Sequence, residues 1–475
     1  ITTVFDGRGH LQVVCGAPNV RAGGVYPLAP VGAVLANGQV LKPARLRGIL
    51  SEGMLLAEDE LGLSEDHSGL LELPEDLAPG LDLAAALALK DVVLEVAVTP
   101  NRPDCLSVLG LAREVAALYA LPLKRPAVPV TEASEPVDSL AAVKILDPEN
   151  CPRYTARVLV DLTVKPSPLW LRRRLQAAGL RAINNLVDVT NYVMLELGQP
   201  LHAFDYDRLR GGQIVVRRPR EGEETFVTLD GQSRQLTAET LLICDAEVPV
   251  AIGGIMGGLA SEVTPDTRRV LLESAYFNPI SIRRTAKRLG LQSESAYRFE
   301  RGVDPEGVLA ALDRAAQLMA ELGGGRILRG RIDVYPQPLV SPRIQLRLER
   351  VNKVLGTQYQ EAEVEAFLHR LHLPVSAAEP GAFLVEVPSF RRDLTREIDL
   401  IEEVARLGGY ERIPVTLPRL ATEGKRPDKE TRVREAAREL LVAQGLYEVI
   451  NYAFQPERWT TWLFGEDPAR QFVRL

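Results

Sequence analysis

Cysteine, histidine, lysine and aromatic side chains are scarce in this chain. Its 475 residues include four cysteines, five histidines, nine lysines and only 5% aromatics. Cys15, Cys105, Cys151 and Cys244 lie far apart, and no CxxC pair occurs. A small disulfide scaffold is excluded, and reduced thiols in a cytoplasmic protein are expected. No apolar run reaches the roughly 18 residues of a membrane span, and no signal peptide is visible, so no membrane partner is expected. Nor is there an excess of positive charge. The 56 Lys and Arg against 63 Asp and Glu leave −7, which speaks against a duplex-coating protein but leaves room for a local basic patch. With so little lysine, such a patch would make fork-shaped arginine contacts.

The remaining composition, 46% hydrophobic and 25% charged, is that of soluble globular protein. The length suits three or four domains. Residues 1–88 read as short strands at 11–15, 25–28 and 40–46, broken by Gly and Pro, as in a small barrel. Their acidic stretch from Glu52 to Asp82, including Glu58, Asp59 and Glu60, reads as a solvated face. Residues 89–136 read as a strand at 92–98, a Pro-stiffened turn, a helix at 107–119 and a Pro-rich linker. Residues 137–340 mix strands with helices at 167–178 and 304–322, an α+β block. Residues 341–416 add strands and two helices. Residues 417–475 start a further unit, with a charged helix at 430–444 and a strand from 449. Ile1 stands inside a strand-like run and Leu475 follows no closing element, so a piece of a longer chain is expected.

Several polar constellations stand out. Lys42, Arg45 and Arg47 cluster along one candidate strand, with Arg45 and Arg47 on one face. Arg172, Arg173 and Arg174 sit in a stretch without acids. Both sets suit phosphate contacts or solvated faces. From Arg181 to His202, Asn184, Asn185, Asp188, Thr190, Asn191 and His202 lie among apolar residues, which implies a hydrogen-bond network. Gly253, Gly254, Gly257 and Gly258 follow an apolar strand, but no GK[ST] follows them, so a phosphate loop is excluded. Their role is close backbone approach. Glu273 ends a buried strand. Asp399, Glu402 and Glu403 share a helix face near Asp393, as Mg²⁺ ligands or as an acidic helix start would. His369 and His372 lack a third ligand and read as surface residues.

Taken in order, the longer motifs resemble the beta subunits of bacterial phenylalanine–tRNA ligases. They are VCGAPNVRAG (14–23), SEGM (51–54), PNRPD (100–104), NNLVDVTNYVMLELGQPLHAF (184–204), AIGGIMGG (251–258), LLESA (271–275), RFERGVDP (298–305) and residues 388–410. The resemblance covers essentially the whole chain. It implies a multidomain α+β protein: an OB-type tRNA-binding barrel, a B3/B4 editing domain, a B5 domain with a DNA-binding-like fold, and the start of a class II synthetase-like core. It further implies an alpha-subunit partner in an α2β2 heterotetramer. Phenylalanine would be attached to tRNA(Phe) with ATP on the alpha subunit, while tyrosine wrongly attached would be hydrolysed on this chain. The editing pocket would comprise Arg181, Thr190, Asn191, His202, Gly257, Glu273, Ser293 and Ser295, with Glu273 accepting the tyrosine hydroxyl. Arg181 would hold the tRNA 3′ end, and His202 and Asn191 would place ester and water. Asp393, Asp399, Glu402 and Glu403 would hold Mg²⁺. The alternatives are a tRNA-holding partner without editing and a free-standing hydrolase.

Overall fold

The structure is a computed structural model that describes residues 1–64, 67–87, 89–417, 427–454, 456, 458, 459, 462 and 465. Two compact units result, Ile1–Ile413 and Pro414–Leu475.

The first 80 residues build three two-stranded antiparallel ladders: Thr2–Phe5 with His10–Val13, Leu28–Pro30 with Gly53–Leu55, and Ala44–Leu46 with Ile49–Ser51. Val13, Leu55 and Leu70 form their core. Two expectations change here. Arg47 lies outside the strand, in a two-residue turn with Gly48 where both residues have positive φ (50° and 83°), so Arg45 and Arg47 share no strand face. The acidic stretch is solvated at Glu52, Glu72, Glu75, Asp76 and Asp82, as expected, but not at Glu58. Glu58 is only 8% exposed, accepts a 2.9 Å hydrogen bond from Ser64, and pairs with Arg172 of a distant helix. A carboxylate that deep needs a cation beside it.

Residues 92–98 form no strand. Val92, Val93 and Leu94 are exposed in extended chain, with no ladder partner among the described residues. The helix that follows, Val108–Tyr119, is capped by Ser107, whose hydroxyl accepts from the Gly110 amide at 3.0 Å. Gly110 admits no side chain, since a Cβ there would stand 1.7 Å from the Asp104 carbonyl oxygen.

The central block stacks two sheets. One runs Leu201–Asp205, Val270–Tyr276, Arg153–Val160, Arg326–Arg329, Glu132–Pro136, with Ile332–Val334 also on Arg153–Val160. The other runs Met256–Gly257, Pro249–Ile252, Leu242–Cys244, Gln213–Arg217, Ala142–Ile145. Tyr154, Ala156, Phe204 and Leu271 of the first sheet meet Ile214, Leu242 and Ile252 of the second. On the far face, Leu159, Ala203 and Leu272 pack on the helices Asn185–Leu197 and Val308–Gly323. Alternation along a strand explains this: Leu271 and Glu273 face the sheet-to-sheet layer, and Leu272 faces the helices. The helix expected from Ser167 runs instead over Leu169–Ala177, because the Ser167 hydroxyl is bonded to buried Asp188 at 2.6 Å.

Residues 343–408 fold as a three-stranded sheet (Arg343–Arg347, Ala382–Glu386, Val375–Glu379) with the helices Leu348–Leu355, Glu361–Arg370 and Glu397–Gly408 around Leu346, Val364, Leu368 and Val404. Arg370 fastens this part to the Val108–Tyr119 helix by donating to the carbonyls of Ala117 and Leu118 at 2.6 and 2.7 Å.

In the second unit, Asp428 caps the helix Lys429–Ala443. The strand expected from 449 to 454 is absent, and most of 455–475 lies outside the described residues. Among the described residues no helix is long and apolar enough to cross a membrane.

Candidate active site

The polar stretch from Asn184 divides by role. Asn184 caps the helix Asn185–Leu197, accepting from the amides of Leu186 and Val187 at 3.0 Å. Asn185, fully buried, bonds the Lys165 amide and the carbonyls of Thr163 and Leu322. Asp188 accepts from Ser167 and from the Ile183 amide, and burial raises its pKa. These three hold the helix in place. Gly198 (φ 82°) ends it and lets the chain turn back into the strand Leu201–Asp205.

That strand lies antiparallel to Val270–Tyr276, and their register sets His202 directly opposite Glu273. Directly opposite side chains on one face approach within about 5.5 Å at Cβ. Both line a cavity of about 560 Å³ between the sheets, together with Thr190, Asn191, Ile243, Ala251, Ile252, Gly257, Ser293 and Ser295. Seven of the eight expected pocket residues therefore meet. The eighth, Arg181, is exposed on the loop before the helix and does not line the cavity.

Glu273 is buried and His202 half-buried, and neither has an opposite charge beside it. Burial pushes the Glu273 pKa up to about 7, against the pull of a 2.6 Å hydrogen bond donated by the Tyr154 hydroxyl to Oε2. Oε1 has no partner among the described residues. Burial lowers the His202 pKa to about 4, so its imidazole is neutral at pH 7. The ring stands edge-on to Phe204 at 4.4 Å between centroids. Gly257 makes room for it: a Cβ at 257 would come 2.5 Å from His202 Cε1. The close approach expected of these glycines is made to side chains at Gly254 and Gly257, and also to the Val250 carbonyl of the neighbouring strand at Gly258. Thr190 donates to the Val187 carbonyl, and Ser293 caps the helix Glu294–Phe299 and donates to the Ile255 carbonyl at 2.9 Å. Asn191 and Ser295 have no hydrogen-bond partner among the described residues, which leaves their polar groups for a ligand. Such a site can hold an uncharged ester and a water beside a carboxyl of adjustable charge.

The B3/4 domain family matches residues 150–324, which contain this cavity, and the tRNA synthetase B5 domain family matches 344–410. The putative tRNA binding domain family matches 1–82, and the phenylalanyl tRNA synthetase beta chain CLM domain family matches 413–475. The chain is 54% identical over 454 residues to the phenylalanine–tRNA ligase beta subunit of Syntrophus aciditrophicus, covering 95% of this chain and 56% of that protein. It is 51% identical over 471 residues to that of Geobacter sulfurreducens, covering 99% and 59%. The chain belongs to the phenylalanine–tRNA ligase beta subunit family. It spans between half and two thirds of the length of these relatives. A solved N-terminal fragment of the phenylalanyl-tRNA synthetase beta-subunit from Pyrococcus horikoshii is similar with a TM-score of 0.35 and 17% identity, over 66% of this chain and 86% of that one.

The cations read as phosphate contacts and the acids that the resemblance assigns to metal are not all free. Lys42, Arg45 and Arg47 are exposed. Arg172 is instead bound to Glu58, Arg173 is half-buried, and Arg174 donates to the Tyr192 hydroxyl at 2.9 Å. The four acids expected to bind Mg²⁺ do not converge. Asp393 accepts a bidentate pair from Arg391 at 2.9 and 2.8 Å. Glu403 accepts from Arg391 and Arg406, both at 2.7 Å. Burial opposes its ionised form, yet these two arginines hold its pKa down to about 2. Asp399 accepts from the Thr395 and Arg396 amides ahead of its helix, and Glu402 is exposed. Among the described residues, Asp104, Cys105 and Glu114 are the group close enough to share an ion, and Arg102 already binds both carboxylates. As folded, Asp393, Asp399, Glu402 and Glu403 do not form a four-ligand metal site among the described residues.

Proposed function

We propose that this chain is the tRNA-holding and proofreading part of a phenylalanine–tRNA ligase beta subunit, and that its cavity hydrolyses tyrosine wrongly esterified to tRNA(Phe). The pairing of His202 with Glu273 across adjacent strands, inside a cavity of ligand size, carries the reading. Tyrosine differs from phenylalanine by one hydroxyl, which an apolar synthetic pocket rejects only about 10²-fold. A second pocket inverts the problem. Glu273 Oε1 accepts the phenolic hydroxyl of a tyrosyl group, whereas a phenylalanyl group leaves that carboxyl buried and unmatched.

The hydrolysis needs a water on the ester carbonyl. The water oxygen bonds to the carbonyl carbon, the bond to the ribose oxygen breaks, and the water's proton ends on that oxygen. His202, neutral at pH 7, hydrogen-bonds the water and orients it rather than acting as a strong base. The open amide of Asn191 supports the ester. Ser293 and Thr190, tied to backbone carbonyls, fix the walls. Lys42, Arg45 and Arg47 contact the tRNA backbone, and Arg181, outside the cavity, meets the strand that leads to it.

The synthetic reaction with ATP and phenylalanine belongs to an alpha subunit, in an α2β2 heterotetramer in the cytoplasm. A Mg²⁺ ion near Asp399 and Glu402 would need ligands from that partner, and no step here runs through it. The test is deacylation by this beta chain in complex with its alpha partner. Tyr-tRNA(Phe) is expected to be hydrolysed faster than Phe-tRNA(Phe), and equal rates would overturn the reading.

A further inference from the structure

The cavity's discriminating carboxyl is not held by the residues that line the cavity. Glu273 stands on Val270–Tyr276, paired with Ala156 on one side and His202 on the other. Tyr154 lies two residues from Ala156 on the same strand, hence on the same face and diagonal to Glu273. Its ring is fully buried, and its hydroxyl reaches Oε2 at 2.6 Å. Tyr154 is absent from the cavity wall, so a ligand does not touch it.

We propose that Tyr154 is a positioning residue for Glu273: its hydroxyl occupies Oε2, so that Oε1 alone is offered to a phenolic hydroxyl, and it favours the ionised form of that carboxyl at neutral pH. The inference rests on the proofreading reading and adds to it the group that makes the acceptor an acceptor. A protonated carboxyl could donate to the substrate but would lose the charged acceptor that rewards tyrosine. The Tyr154 hydroxyl is a donor to the carboxylate, and such a bond stabilises the ionised form.

The surroundings supply no substitute. Besides Tyr154, the strand Arg153–Val160 places only uncharged Ala156 and Val158 on that face, and burial keeps the adjoining Cys151 thiol protonated. The strand Leu201–Asp205 brings His202, neutral above about pH 4. The helix Asn185–Leu197 brings uncharged Thr190 and Asn191, the second sheet brings Ile243, Ala251 and Ile252, and the helix Glu294–Phe299 with its cap brings Ser293 and Ser295. Glu262, the other charged residue of the cavity wall, is an acid. Among the described residues no arginine or lysine lines the cavity, so the Tyr154 hydroxyl is what favours ionisation.

The test uses the beta chain in complex with its alpha partner, as wild type and as Tyr154→Phe. The ionisation of Glu273 is read directly as the carboxylate infrared band of ¹³C-glutamate protein, identified by its loss in Glu273→Gln. The midpoint is expected to rise by about one pH unit in Tyr154→Phe. In parallel, the ratio of Tyr-tRNA(Phe) to Phe-tRNA(Phe) deacylation is followed from pH 6 to 9. At pH 7 the ratio is expected to fall several-fold in Tyr154→Phe and to recover by pH 9. An unmoved infrared midpoint, or a loss of selectivity that is equal at every pH, overturns the proposal. If Tyr154→Phe does not fold, ring-fluorinated tyrosine, a stronger donor, is expected to lower the midpoint, and an unmoved midpoint again overturns it. A wild type without tyrosine preference at any pH defeats the proofreading reading instead, and the infrared result still decides what Tyr154 does to Glu273.

Discussion

Two buried groups of titratable side chains reach opposite electrical states in this molecule. Between the sheets, buried Glu273 and half-buried His202 have no counter-charge, and desolvation drives both toward their neutral forms. Between the Val108–Tyr119 helix and the 343–408 part, Asp393, Arg391, Glu403, Arg406, Glu114, Arg102 and Asp104 form an unbroken chain of ion pairs. There Glu403 stays ionised despite its burial, because Arg391 and Arg406 answer its charge. Burial alone therefore does not tell whether an acid is poised for chemistry. The presence of an arginine beside it does.

The contrast can be broken most forcefully at Arg391, which is 1% exposed. Arg391→Met leaves Asp393 and Glu403 without their main cation. It is expected to destabilise its part of the chain by about 3–5 kcal/mol, read as a lower thermal midpoint. An unchanged midpoint would mean that water already reaches these acids.

Stability against pH sharpens the other side. Glu273 has a folded pKa above its unfolded value of 4.5. It contributes stability that is present below pH 4.5 and lost as pH rises to about 7. His202 has a folded pKa below 6.5. Its contribution is present above pH 6.5 and lost as pH falls to about 4. Each amounts to roughly 3 kcal/mol, and in the overlapping window they oppose each other. Glu273→Gln is expected to unmask the histidine: stability should then climb from pH 4.5 to 6.5 by up to that amount, where the wild type is nearly flat. Denaturant melts at stepped pH check this.

Glu273→Ala should cost about 10- to 100-fold in preference for Tyr-tRNA(Phe) over Phe-tRNA(Phe), the worth of one hydrogen bond to a charged group. Unchanged discrimination would remove Glu273 from its role. The smallest effect is expected at the surface. Arg47→Ala should weaken tRNA binding modestly and lower the salt slope of affinity by about one, measured by filter binding at several salt concentrations. Arg172→Ala should instead act through the lost Glu58 pair, on stability rather than on the salt slope.

The sequence disclosed what is local. The helices expected at 107–119, 167–178, 304–322 and 430–444 followed from spacing, to within a few positions. So did the pocket set, but only through family resemblance, since nothing in a linear reading places His202 beside Glu273, 71 residues on. What pairs at a distance stayed hidden. Residues 92–98 have strong β propensity, yet propensity makes no strand without a neighbour to pair with. The strand Arg153–Val160, buried along its whole length, went unread because Arg153, Thr155 and Arg157 look like solvent-facing residues. Arg153 and Arg157 are buried because each is met by two acids, Glu306 and Asp333, and Glu132 and Asp313. Tyr154 was lost with that strand. Acid clusters at Glu58 and Asp393 were misjudged for the same reason, as their arginines come from elsewhere in the chain or point where no periodicity shows.

The 2.5 Å that would separate a Cβ at position 257 from the His202 ring bears on how such a site can change over generations. Position 257 cannot drift alone. Any larger residue at 257 arrives harmlessly only after the imidazole has gone, and a bulky ring returns to 202 only while glycine remains. The order of substitutions is thereby constrained, and Gly257→Ala paired with His202→Ala should show strongly non-additive costs.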